Sequence, residues 1–246
     1  MSITRYKTSN PAFTPLIWKG YSYSSNRMTL RGVILKTFFC LVILSASTCY
    51  VWDLVHQGVD AKWYIYLGLL AAIILSILTS YIHKWAVITT PLYALAKGVF
   101  LGGISAYAEL KFEGIPMRSV GVTIIVFFVM LVLYRFRIVM LTRKFRSVII
   151  GAIISITAIY LISWILNLFG ISASIIYGTS NFSILFNIIA ACIASLVLLI
   201  DFDFIEGKIN HVPKYMEWVA TWGLLVTLIW LYIEILRLLK KLIIRF

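Results

Sequence analysis

Acidic residues are scarce in this chain: nine Asp and Glu in 246 residues, against 22 Lys and Arg, for a formal charge of +13. Charge of either sign is scarce too, at 13% of the residues, where a soluble globular protein carries about 25%. So few charges cannot cover a water-soluble fold of this length. The balance excludes a disordered segment, an acidic tail protein and a soluble nucleic-acid binder. Cysteine is limited to Cys40, Cys49 and Cys192. An odd number without paired spacing argues against a disulfide framework or a zinc site, and Cys40 and Cys49 lie too far apart on one expected helix to bridge. The three histidines, His56, His83 and His211, fall in expected loops. Phosphate-cradling glycine loops and metal-ligand spacings are missing. So are the alternating segments of roughly ten residues that a transmembrane β-barrel needs.

What is present is solid apolar sequence: 62% hydrophobic residues and a mean hydropathy of +0.98. The blocks are long enough for transmembrane helices of about 20 residues each. Seven spans are expected, at about 31–54, 63–82, 89–110, 119–136, 147–169, 183–205 and 215–239, forming one all-α integral membrane domain over residues 29–246. Residues 1–28 are polar, aromatic and basic, and read as a cytoplasmic segment along the membrane, with Thr29 as the cap of the first helix. The third span holds Lys97, Gly98, Gly102, Gly103, Ser105 and Glu109; such a helix packs against neighbours rather than lipid. Ser147 to Ile200 contains no charge, too long for one crossing, and is broken by the polar cluster from Gly170 to Asn181.

Orientation follows from Lys and Arg counted by segment. With the N-terminus in the cytoplasm, the inner segments carry 13 and the outer ones 7, as the positive-inside rule prefers. The C-terminal tail dissents, placing Arg237, Lys240, Lys241 and Arg245 outside. The basic loop between spans four and five is a topology signal beside anionic lipid.

Ionisable residues at membrane depth cost about 2.5–3.5 kcal/mol each on insertion scales, which makes them functional candidates. Here they are Lys97, Glu109, Asp201, Asp203, Glu206, Glu217 and Glu234. Asp203 and Glu206 share a helix face, whereas Asp201 points about 200° away from Asp203. Glu217 opens the next helix and could approach Glu206. Clustered carboxylates resist all being ionised, so the group suits proton sensing, and Asp203 with Glu206 could ligate a hard cation such as Ca²⁺. The plainer alternative is a solvated helix end. Glu234 and Arg237 read as a surface pair, and Lys36 as a snorkelling residue. Lys97 calls for a carboxylate from another helix. Catalytic motifs are thin: the Gly103 to Ser105 and Gly170 to Ser172 stretches lack a nearby base, span seven lacks an Asp, and no enzyme is expected.

Several stretches together resemble the Bax inhibitor 1 family, the transmembrane Bax inhibitor motif proteins, in a bacterial branch. They are Ser9 to Phe13, Leu30 to Val33, Pro91 to Ala96, Phe100 to Ala106, Asp201 to Glu206, Pro213 to Trp218 and Tyr232 to Leu239. The resemblance implies six helices in two layers around a central, C-terminal seventh, in a bacterial cytoplasmic membrane. It implies a pH-sensitive Ca²⁺ leak, with Ca²⁺ or H⁺ as the transported or sensed ion and no cofactor. The sensor in the family is a pair of aspartates, one late in helix six and one in helix seven. By position the first is Asp203, with Asp201 as the alternative, and the second falls at Thr227. That is a departure, because threonine supplies no charge. Either Glu217 or Glu206 takes the role, or this branch lacks the two-aspartate switch. Bacterial relatives also include regulators, so the other expectation is a non-conducting protein that binds a membrane protease or stress-response partner through residues 1–28.

Overall fold

The computed structural model describes residues 27–60, 62–169, 178 and 180–245. Of the expected N-terminal segment, only Arg27 and Met28 are among them. The break expected between Gly170 and Asn181 is described only at Gly178, Ser180 and Asn181.

The described residues form seven long helices: α1 Leu30–His56, α2 Lys62–Tyr81, α3 Ala86–Lys111, α4 Ile115–Arg135, α5 Arg143–Leu168, α6 Asn181–Glu206 and α7 Met216–Arg245, with a short 3₁₀ turn His83–Trp85 before α3. All seven are long and apolar enough to cross a membrane, and the chain is a multi-pass membrane protein. Burial separates two kinds of helix. The most apolar stretches of α1, α2, α4 and α5 are 17% buried, those of α3 and α6 56%, and that of α7 83%. The poorly buried helices show lipid-facing sides bearing Phe38, Tyr66, Ile125 and Trp164. The polar α3 and the long α7 are enclosed by protein, where their polar groups find partners.

The expected spans coincide with these helices to within a few residues, except in α7. Its end was expected at the Lys240–Lys241 pair, yet the helix continues to Arg245. Lysine is a good helix former, and the Lys241 ammonium is satisfied internally rather than by water.

Packing divides the chain into two compact units. The first holds the described residues up to Pro116 with Phe204–Val226; the second holds Met117–Asp203 with the described residues from Thr227 on.

In the first unit, α1 and α2 both pack on α3. The close approach needs glycine. A Cβ on Gly98 would run into Ser47 Oγ and the Leu44 carbonyl, and one on Gly68 would lie 2.8 Å from the Ala96 carbonyl oxygen. Thr48 then donates to the Gly98 carbonyl at 3.1 Å. Thr29 caps α1, its hydroxyl accepting from Gly32 N–H. The other end of α1 closes in a Schellman motif: Gly58 has φ +91°, its N–H donates to the Val55 carbonyl, and Val59 N–H donates to Leu54. The α6–α7 turn is tied to the start of α1 by Met28 N–H to Val212 and Asn210 N–H to Met28.

In the second unit, Ile149 of α5 and Val197 and Ile200 of α6 form a buried cluster joined by Phe145 and Trp230. Phe127 and Tyr134 of α4 set their rings 5.8 Å from Phe202. Helix α4 also ends in a Schellman pattern, with Arg137 N–H bonded to the Tyr134 carbonyl and Ile138 N–H to Leu133. Here the left-handed position, φ 52°, is an arginine.

Candidate functional site

The acidic run at the end of α6 is split by helical geometry. Asp201 is fully buried, flanked by the buried Leu199, Ile200 and Phe204. Thr227 of α7 donates its hydroxyl to Asp201 Oδ2 at 2.5 Å, and Thr227 is itself buried. One turn away on each helix, Val197 and Trp230 belong to the apolar cluster. Asp203 points elsewhere and pairs with the guanidinium of Arg146 on α5, with 28% of its side chain exposed. Glu206 is exposed. The structure therefore brings Asp201, not Asp203, against the residue at the helix-seven position.

Chemically the two carboxylates differ. An ionised carboxylate in apolar surroundings is costly unless paired. Asp203 has a permanent cation beside it. Asp201 has a hydroxyl, which is both donor and acceptor. Thr227 can donate to the carboxylate or accept from the protonated acid, so this contact is satisfied in both states.

Glu217, the first-turn acid of α7, is fully buried and pairs with Lys36 of α1. It also accepts from Thr29 N–H at 2.9 Å and from the Thr29 hydroxyl at 3.0 Å, while the Lys36 ammonium lies 5.2 Å from the Trp218 ring centre. Lys36 was expected to snorkel outward. It turns inward instead, because Gly32, one turn back, leaves room for the Glu217 carboxylate where any Cβ would collide.

Glu234 was expected in a surface pair and is instead buried within the second unit. Tyr160 donates to both its oxygens at 2.7 and 2.8 Å, Trp230 Nε1 donates at 3.0 Å and Asn187 Nδ2 at 3.3 Å. Arg237 stands 3.6 Å away and stacks over the Tyr160 ring. Lys241 donates to Asn187 Oδ1 and, at 2.7 Å, to the Ser183 hydroxyl. The indole N–H, the Asn187 Nδ2 and the guanidinium only donate, so these contacts use the Glu234 oxygens as acceptors.

The remaining candidates are dispersed. Lys97 lies over the rings of Tyr93 and Phe100, at 5.9 and 5.0 Å, and no ion pair involves it among the described residues. Aromatic faces supply the partner that a carboxylate was expected to be. Glu109 closes the end of α3 by accepting from Gly114 N–H at 3.0 Å. Lys208, two residues past α6, is half-buried beside Phe204, and burial holds its ammonium below the ordinary lysine range. Among the described residues no group of three or more His, Cys, Asp or Glu is placed to hold a metal ion. The three cysteines are free thiols.

Sequence reasoning missed Lys36, Tyr160 and Asn187 as partners of buried acids, and Lys241 as a donor to Ser183 and Asn187. Asn187 carried a signal, as an amide inside an otherwise apolar span.

The sequence model of the family described as Bax inhibitor 1 like matches residues 9–243. Comparison with curated proteins gives no match.

Proposed function

The chain belongs to the Bax inhibitor 1 like family, and on that premise we propose that it is a pH-sensitive cation leak, with Ca²⁺ as the first candidate ion. Its place is a bacterial cytoplasmic membrane, with the N-terminus in the cytoplasm. The titrating element is the carboxylate group at the end of α6, and within it Asp201 rather than Asp203 or Glu206.

The observation that supports this reading best is the buried hydrogen bond from Thr227 to Asp201. It joins α6 to α7 through a group whose charge can change while its partner stays satisfied. Protonation exchanges an acceptor for a donor at one buried contact between two long helices. A change of that kind can shift a two-state equilibrium in helix packing. The ion-paired acids do not offer this. Asp203, Glu217 and Glu234 each have a cation within ion-pair distance.

Thr227 in place of a second acid alters the switch: at this contact one proton suffices. The sensitivity to pH is then shallower than for two coupled acids.

The test is Ca²⁺ entry into liposomes holding the purified chain, between about pH 6 and 8. Flux that changes with pH supports the leak. Absence of flux across that range contradicts it and favours the second reading, a non-conducting regulator. The signature of the regulator is capture of a membrane protease or stress-response protein, lost on deleting residues 1–28.

A further inference from the structure

The turn from α4 to α5 combines two features that water and hydrocarbon each reject. Arg135 closes α4, Arg137 sits in the turn, and Arg143 and Lys144 open α5; all four are exposed. Between them Phe136, Ile138 and Met140 stand out from the protein, 64–80% exposed. The sequence holds no acid between Glu113 and Asp201. Within this stretch Arg146 is the residue that finds one, in Asp203, and none of the four exposed cations is in an ion pair among the described residues.

Helices α4 and α5 each have the length and apolarity to cross a membrane. A turn as short as 136–142 returns the chain to the face from which α4 emerged, so the turn lies at a membrane boundary. Large apolar tips prefer to leave water there, and cations prefer to stay out of hydrocarbon. Both are met at headgroup depth, with the apolar tips at the acyl boundary and the cations among phosphates.

Arg137 adds a separate observation. It occupies the left-handed position of the Schellman motif at φ 52°, which usually takes glycine and is strained for a residue with a Cβ. The chain keeps a guanidinium at this point against its backbone preference.

We propose that the α4–α5 turn is a binding surface for anionic phospholipid. The phosphodiester headgroup is held by Arg135, Arg137, Arg143 and Lys144, with Phe136, Ile138 and Met140 seated beside its acyl chains. The proposal does not depend on any leak activity.

The test measures association of spin-labelled phosphatidylglycerol and phosphatidylcholine with the reconstituted chain, in low and in high salt. Each basic residue near an anionic surface contributes roughly fivefold in affinity at most, so two of the four at full strength suffice for the expected preference for phosphatidylglycerol of about tenfold or more, weakening with salt. R135Q/R137Q/R143Q/K144Q is expected to bring it close to parity. Arg137→Gly separates the surface from the fold. It relieves the strained backbone and so raises the unfolding midpoint, yet lowers the preference for phosphatidylglycerol. Equal association of the two lipids with the wild type overturns the proposal, as does a preference that the fourfold variant retains. Displacement of the lipid by inorganic phosphate at matched ionic strength also overturns it, because the site would then serve free anions.

Discussion

At the scale of single residues, the buried acids are set apart by what faces them. Glu217 has no exposed side-chain surface and depends on Lys36, whose side chain is 18% exposed. Removing one member of a buried pair leaves a charge uncompensated, at a cost of about 3–5 kcal/mol. Lys36→Met is therefore expected to lower the stability of the chain in detergent by that amount, and adding Glu217→Gln is expected to restore much of it. A single variant as stable as the wild type would contradict the pairing. Asp60, in the α1–α2 turn, shows a different balance. The Tyr107 hydroxyl donates to it, and with the Lys62 backbone N–H and ammonium holds its carboxyl below the ordinary aspartate value. A folded-state value below the unfolded one stabilises the fold at higher pH, and the benefit disappears as pH falls through the folded value. Tyr107→Phe should thus lower the unfolding midpoint slightly at neutral pH, with the gap closing below about pH 4. Asp60 stays ionised at neutral pH and is not the proposed sensor. These pairings were poorly legible in the sequence. Lys36 and Glu217 are 181 positions apart, and a lone lysine one turn into a span reads as snorkelling on composition alone. The identity of the acid facing α7 turned on the choice between Asp201 and Asp203 in the DFDFIE run, which motif matching could not fix.

At the scale of elements, four helices were legible because charges bound them, and α5 and α6 because a polar cluster breaks the uncharged run between them. Uncharged runs such as Trp63 to Ile82 leave little freedom in where a span begins and ends. The end of α7 was not legible, since the Lys pair that marks water in most spans is taken up internally by Ser183 and Asn187. The small residues of α3 were legible as packing residues, and α1 packs on them. Gly98 is the tightest point, with the Leu44 backbone in the path of any side chain. Backbone yields less than a flexible side chain, and overpacking costs about 1–3 kcal/mol. Gly98→Ala should lower the unfolding midpoint accordingly, while Gly151→Ala, with open space around its Cβ position, should leave it nearly unchanged. Equal effects at the two positions would contradict the packing of α1 on α3.

At the scale of the whole molecule, the scarcity of acids acquires a meaning. Asp203, Glu217 and Glu234 neutralise Arg146, Lys36 and Arg237. With these pairs set aside, and Lys241 held by Ser183 and Asn187, the totals expected for an N-in orientation fall from 13 to 12 on the inner side and from 7 to 5 on the outer side. Class and span count were readable from the sequence because hydropathy and charge carry them, and family because short residue stretches resemble it. Which acid lies buried against α7 was not, because tertiary contact decides it. Asp201 is the buried acid of α6, and it accepts the Thr227 hydroxyl of α7. The most direct test of the account is Ca²⁺ flux in liposomes as a function of pH for Asp201→Asn, alongside Asp203→Asn and Lys208→Gln, each with an unfolding midpoint to establish that it folds. The account predicts that Asp201→Asn makes the flux independent of pH between about pH 6 and 8, while the other two keep the wild-type dependence. An Asp201→Asn protein that folds and retains the wild-type pH dependence would contradict it.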